Sequence, residues 1–383
     1  MTPSSKTRQN APWVEPEGNL RVAVLSLIGK GVPPVQAAQT GGFQTLAGFA
    51  SALQKHWGLR VKGSGSIHGA LEKGEFTLEY GGDFHIERTL AYLGRDPCNA
   101  SERVTGNVYS RWFPVAGKDV LVTITLKKKN CWVETGKLSN QVQWLELVFA
   151  IRRFLGLDQP LTAFYQVASS QKAMAPLVAG LPGVRIPQVP TLWEALCWAV
   201  LGQQINLAFA YRLRNRLIRL GHDLPADDVM TSEEMARGPA NGAKPLVFPS
   251  PEQILCLDPA QLQTHQFSRQ KANYLGQVAR ACLEGPLRDL SLSNVSPQEA
   301  EERMLAVKGI GRWSAAYGLM RGLGYMDALP VGDAGLRTAL RRFFSLPEAP
   351  DIAEQEHLME PFRPFRSLAC YYLWKSLGTT TDG

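Results

Sequence analysis

The chain has 383 residues, more than the roughly 100–200 of one typical domain, so two or three domains are expected. Hydrophobic residues make up 45% and charged residues 20%, which supplies a packed core and excludes wholesale disorder. The 41 Lys and Arg against 34 Asp and Glu give a formal charge of +7, a balance that favours an anionic partner, nucleic acid first.

Residues 1–20 are polar and Pro-rich and read as a loose arm. From Leu20 to Leu59 the pattern is helical, broken at Gly31 and Pro33–Pro34, and Gly41–Gly42 separates two short amphipathic stretches in the manner of a helix-turn-helix. KGSGS at 62–66 reads as a linker. FTLEY (76–80), VYSRWFP (108–114) and DVLVTITLKKK (119–129) alternate or run β-branched, so a sheet is expected there, with ERTLAYLGRDP (87–97) as a short helix packed on it. From Gln141 onward the chain reads as nearly all helical, with a long polar loop or insertion from Asp223 to Pro251. There is no internal repeat.

The six cysteines are scattered, with no CxxC pair to hold zinc, a dithiol redox site or an iron–sulfur cluster; free thiols and no metal are expected. The opening residues lack the apolar run of a secretory signal, and no apolar stretch approaches the ~20 residues that cross a bilayer. The expectation is a soluble cytoplasmic protein, with no membrane partner and no cofactor.

The chemistry concentrates in residues 296–344. Ser296, Pro297 and Glu299 make a helix start, and that helix stops at KGIG (308–311), after which a second begins at Arg312. Gly309 and Gly311 permit positive φ and close approach of a partner, and a helix amino terminus behind them suits a phosphate. Trp313 and Tyr317 share a helix face, which for an aromatic pair is usually core packing. Asp333 opens the amphipathic segment AGLRTALRRFF, either as a simple N-cap or as a carboxylate kept ionised by helix amides. Beside stacked aromatics, an ionised Asp can stabilise a sugar cation.

Five stretches in order, LPGVRIP (181–187), LGQQIN (201–206), VKGIGRWSAAY (307–317), ALPVGD (328–333) and PFRSLACYYLW (364–374), resemble the helix-hairpin-helix base-excision glycosylases, and among them the DNA-3-methyladenine glycosylase II type. The resemblance spans residues 75–378 and includes the spacing from Trp313 to Asp333. It implies a mainly α protein with an α+β sheet domain: an arm and helix-turn-helix remnant at 1–66, a sheet domain similar to the TATA-binding protein at 67–165, and the helix-hairpin-helix core at 166–383.

The resemblance puts Asp333 on the catalytic aspartate, Trp313, Tyr317, Trp374, Gln203 and Tyr92 on the walls of the base pocket, and Gln204 on the side chain that wedges into the duplex. An apolar wedge is usual there, so Gln204 is a departure. Lys308, Gly309, Ile310, Gly311 and Arg312 fall on the hairpin that holds DNA. Bifunctional members carry a lysine where this chain has Trp313, so base removal without strand cleavage is implied. The implied substrate is double-stranded DNA with alkylated bases such as 3-methyladenine and 7-methylguanine, with hypoxanthine or uracil as further candidates, acted on by a monomer.

Residues 32–59 resemble the second helix-turn-helix of AraC-type regulators, and residues 1–70 hold seven Lys/Arg against Glu15 and Glu17. No cysteine precedes Cys98, so the methyl-accepting cysteine of such fused proteins is absent. The rival reading is a noncatalytic DNA-binding regulator of the alkylation response.

Overall fold

The computed structural model describes residues 74–378, except 81–82, 116, 140, 227–243 and 292–294, together with the isolated positions Gln39 and Gly48. Those two positions apart, the expected arm, helix-turn-helix and Gly/Ser linker lie outside the described residues.

Five strands form one antiparallel sheet: β1 (Glu75–Glu79), β2 (Glu102–Thr105), β3 (Val108–Val115), β4 (Lys118–Leu126) and β5 (Asn130–Thr135), in the order β1-β5-β4-β3-β2. The register sets Leu78 opposite Cys131, Ile124 opposite Val133, and Tyr109 opposite Ile124, all buried, so the period-2 alternation puts one face of every long strand into the core. Sequence patterning misses β2, which is four residues long and carries Glu102 and Arg103, and β5. DVLVTITLKKK is a strand only to Leu126; the chain then turns, with Lys127 N–H donating to Asn130 O at 2.9 Å, and returns as β5. Between β1 and β2 lies the helix α1 (Ile86–Leu93), which turns Tyr92 and Leu93 inward.

Helices α2 (Gln141–Leu155), α3 (Leu161–Ser170) and α4 (Met174–Gly180) follow. Trp144 of α2 meets Phe76 edge-on at 5.8 Å between ring centroids, and Phe154 stacks on Tyr109 at 5.1 Å, which seats α2 on the sheet. The remaining helices are α5 (Leu192–Gly202), α6 (Leu207–Leu220), α7 (Pro251–Cys256), α8 (Pro259–Thr264), α9 (Arg269–Leu283), α10 (Pro297–Leu305), α11 (Arg312–Tyr317), α12 (Ala334–Phe343), α13 (Ile352–Met359) and α14 (Arg366–Ser376). Their starts are written in the sequence: Thr191, Asn206, Ser250, Asp258, Ser268, Ser296, Asp333 and Asp351 each accept a first-turn amide. Helix α11 continues into a π-helical segment, Gly318–Leu323, where a Cβ on Gly318 would stand 2.8 Å from Met304 Sδ and 3.0 Å from Leu196 Cδ2. That glycine lets the segment press against α5 and α10.

A buried ionic cluster joins sheet to helices. Arg111 of β3 reaches Glu194 of α5 at 2.8 Å and Glu102 of β2 at 3.2 Å, while Arg214 of α6 reaches the same two carboxylates at 2.9 and 3.0 Å. Burial alone would raise the Glu102 pKa, but Arg214 and Arg111 overcome it and hold the carboxyl below its ordinary value. The described part of the expected 223–251 loop is fastened rather than loose. Trp112 donates to Pro245 O at 2.7 Å, Trp193 to Pro249 O at 2.8 Å, and Leu246 N–H to Ala100 O at 2.8 Å.

Candidate active site

Asp333 enters at the end of the turn ALPVGD, where Gly332 takes φ +81 and its N–H donates to Gln355 Oε1 at 2.9 Å. Gln355 is fully buried and in turn donates to Pro350 O at 3.0 Å, so the turn has a fixed floor. As N-cap of α12, Asp333 accepts from Leu336 N–H through Oδ1 at 2.7 Å. Two indoles converge on the same carboxylate: Trp374 Nε1 donates to Oδ1 at 2.9 Å, and Trp313 Nε1 donates to Oδ2 at 3.0 Å. Three of the roughly four lone-pair positions of a carboxylate are thereby used, and the fourth, on Oδ2, is open to one further donor.

Trp313 stacks on Tyr317, with centroids 5.5 Å apart and planes 25° from parallel. Tyr317 and Trp374 are each 2% exposed, whereas Trp313 is half-buried and is the accessible ring of the group. Trp198 and Tyr211, tilted 31° to each other with centroids 5.1 Å apart, pack against Tyr317 and Trp313 from α5 and α6. Tyr92 has no hydrogen bond to Asp333 among the described residues. It meets Tyr371 of α14 edge-on at 6.1 Å and reaches Tyr317 through Arg321, whose guanidinium lies 4.6 Å from the Tyr92 centroid and 6.0 Å from that of Tyr317.

The Gln203–Gln204 turn follows α5. Gln203 donates to Gly309 O at 3.0 Å and to Ser314 Oγ at 3.4 Å, tying this turn to the hairpin rather than to Asp333. Gln204 is exposed and takes φ +57, a left-handed conformation that non-glycine residues rarely adopt and that sets its side chain at the apex of the turn. Lys271 of α9 secures this end. Its ammonium donates to Val200 O, Leu201 O and Gln203 O at 3.0, 2.9 and 2.7 Å. It is a cation placed on the last carbonyls of α5, where the helix dipole is negative. Burial pushes its pKa down to about 8.

In the hairpin, α10 ends at Leu305 and α11 starts at Arg312. Gly309 takes φ +103 against the Tyr274 ring, where a Cβ would come within 2.3 Å of Cγ, so no other residue fits. The Ile310 side chain is 5% exposed and anchors the turn inward, leaving Lys308, Gly311 and Arg312 on the surface. Lys308 lines an open groove of about 620 Å³ with Arg269, Gln270, Asn273, Tyr274 and Gln277, while Arg312 bonds Glu356.

The structure thus joins Trp313, Trp374, Asp333 and Tyr317 directly, and Gln203 with Gly309; it leaves Tyr92 one residue removed. Sequence reasoning misses Lys271, Gln355, Trp198 and Tyr211. Lys271 had a signal: it shares a helical stripe with Leu275 and Val278, and a lysine on an apolar stripe needs a buried partner. No cluster of His, Cys, Asp and Glu suited to a metal occurs among the described residues. No described helix is long and apolar enough to cross a membrane.

Residues 197–364 match the model of the HhH-GPD superfamily of base excision DNA repair proteins, and residues 75–190 match the AlkA N-terminal domain, which together define the class. The chain is 31% identical over 298 residues to the DNA-3-methyladenine glycosylase of Bacillus subtilis (strain 168), a match covering 77% of this chain and 94% of that protein. It is 28% identical over 214 residues to DNA-3-methyladenine glycosylase 2 of Escherichia coli (strain K12), covering 55% of this chain and 66% of that one. The solved 3-methyladenine DNA-glycosylase of Archaeoglobus fulgidus has the same fold, with a TM-score of 0.64 at 23% identity over 78% of this chain and 97% of that one. The chain belongs to the DNA-3-methyladenine glycosylase family of helix-hairpin-helix base excision repair proteins.

Proposed function

We propose that the chain binds duplex DNA and removes N-alkylated purines such as 3-methyladenine and 7-methylguanine by hydrolysis, without cutting the strand, with Asp333 as the catalytic carboxylate. The observation that carries this reading is the convergence of two indole N–H groups and a helix amide on Asp333 beside the Trp313–Tyr317 stack. A base in the duplex is out of reach, so the nucleotide is flipped out, at a cost of a few kcal/mol that is lowest for damaged pairs. The exposed Gln204 at its strained turn fills the gap and offers an amide to the orphaned base. The accessible Trp313 face stacks on the extruded base, and a positively charged alkylpurine gains a further cation–π attraction.

An alkylated purine is a good leaving group, so the demanding step is stabilising the deoxyribose cation as the glycosidic bond breaks. Asp333, already oriented by three donors, supplies negative charge that needs no reorganisation during the step. The open lone pair on Oδ2 is suited to a water, which delivers hydroxyl to the sugar carbon as its proton passes to Asp333. No amine stands at Trp313 to form a Schiff base, and Lys308 lines the groove against α9, so the abasic strand stays intact. Gly309, Gly311 and Arg312, with Lys308, offer the hairpin to the phosphate backbone.

The test is product analysis on a methylated duplex. Free base appears, and the strand breaks only after alkali. Strand breaks in untreated product that vanish in Lys308→Ala would overturn the monofunctional reading, and bound DNA with no released base would favour a regulator.

A further inference from the structure

The residue before Asp333 is a glycine that packing does not hold. Gly332 takes φ +81, a region open to glycine, and a Cβ built on it would meet nothing within 4 Å. Rotation at this peptide is therefore sterically cheap, and it would swing the backbone of Asp333. Within the turn, Val331 N–H donates to Leu329 O at 2.8 Å and Asp333 N–H to Pro330 O at 3.2 Å. The Gly332 N–H instead donates outside the turn, to Gln355 Oε1 at 2.9 Å.

Gln355 has no exposed surface, and a buried amide needs partners at both ends. Its Oε1 accepts from Gly332, ahead of α12, and its Nε2 donates to Pro350 O, beyond α12, at 3.0 Å. Exchanging oxygen and nitrogen would set donor against donor and acceptor against acceptor, so the amide has one orientation. Pro350 O also accepts from Arg337 Nε of α12 at 3.3 Å. The helix that carries Gln355 is braced in turn. Asp351 and Glu354 form a reciprocal cap at its start, and the neighbouring Glu356 bonds Arg312 of the hairpin. One side chain thus ties a pliable peptide to a braced helix.

We propose that Gln355 is a positioning residue that, through the Gly332 N–H, holds Asp333 where Trp313 and Trp374 both donate to its carboxylate. This rests on the glycosylase reading above. Fully buried and bonded only to main-chain atoms through its amide, Gln355 acts through the turn and meets no substrate.

The experiment compares wild type, Gln355→Met and Gln355→Glu in two measurements on the full chain. Met matches the length of the side chain without its hydrogen bonds, and Glu keeps an acceptor for Gly332. The first measurement is single-turnover base release from methylated duplex DNA, with DNA affinity alongside. Gln355→Met is expected to release base about tenfold to a hundredfold more slowly at unchanged affinity, the scale of a misplaced catalytic group. Gln355→Glu is expected to recover part of that rate. The second measurement is the indole N–H proton spectrum, in which Trp313→Phe and Trp374→Phe assign two signals among those of nine tryptophans. Those two are expected to move in Gln355→Met while the others stay, which also shows that the variant is folded.

A wild-type rate in Gln355→Met would overturn the proposal, as would a Gln355→Glu rate no better than that of Gln355→Met. So would a slow Gln355→Met whose two indole signals are unmoved, or one in which all nine move together. Wild type that releases no base would overturn the glycosylase reading instead, and the indole signals alone would then decide whether Gln355 sets the turn.

Discussion

At the scale of single residues, the site is a carboxylate with its geometry fixed by neighbours. Trp374 and Leu336 share Oδ1 of Asp333 and Trp313 takes Oδ2, so rotation of the carboxylate costs at least one bond. Trp374→Phe keeps most of the buried ring and removes only one donor. It is expected to lower the rate of base release by about tenfold, the scale of one charge-assisted hydrogen bond, while DNA affinity stays unchanged; single-turnover kinetics and a binding titration check both. An unchanged rate would mean that Trp374 is there for packing. The grouping of Trp313 and Trp374 with Asp333 was legible only through the family resemblance of VKGIGRWSAAY, ALPVGD and PFRSLACYYLW. Trp198 and Tyr211 were not, since they come from α5 and α6 and reach the Trp313–Tyr317 pair only through packing.

Among elements, the decisive contact is the one between α9 and the end of α5. Three carbonyls at the end of α5 and in the turn after it, those of Val200, Leu201 and Gln203, receive the Lys271 ammonium, and the strained Gln204 turn is built on that end. The folded pKa of about 8 lies below the ordinary 10.5, so between those values the unfolded chain holds more protons and stability rises with pH. Activity is expected to move the other way. Above pH 8 the neutral amine has one donor fewer for the three carbonyls, the turn loosens, and base release falls without a loss in melting temperature. Lys271→Arg stays charged across this range and is expected to flatten the decline; identical pH profiles in the two proteins would contradict the link. Helices α11 and α14 begin without a capping side chain, whereas the helix starts at Ser296 and Asp333 were readable because such a cap is a local signal. Strand β2 was not, because its four residues alternate no clear apolar face and exist as a strand only by pairing Glu102–Thr105 with Val108–Arg111.

Across the whole molecule, sheet and helices share one core, with a buried quartet of charges at its seam. Arg111 and Arg214 answer Glu102 and Glu194, and removing one carboxylate leaves two buried guanidinium groups with a single carboxylate between them. Glu194→Ala is expected to destabilise the protein by about 3–5 kcal/mol, well beyond an exposed ion pair, as read by chemical denaturation; a loss under 1 kcal/mol would show that the seam is held by apolar packing alone. No sequence pattern announces this quartet, whose members come from four separate elements. What the sequence did carry at this scale is the order of the helical motifs and the period change near Gln141, enough to separate a sheet-bearing part from a helical one.

The account turns on Asp333, and the most direct measurement is release of free base from methylated duplex DNA by wild type and by Asp333→Asn. Asparagine still caps α12 and still accepts the Leu336 and Trp374 protons through its carbonyl, while its amide nitrogen faces the Trp313 donor, so the fold persists with one indole hydrogen bond and the negative charge gone. The expected result is release of 3-methyladenine or 7-methylguanine by wild type, a loss of at least about a hundredfold in the variant, and DNA binding retained by both. Equal release by the two proteins would contradict the assignment of Asp333.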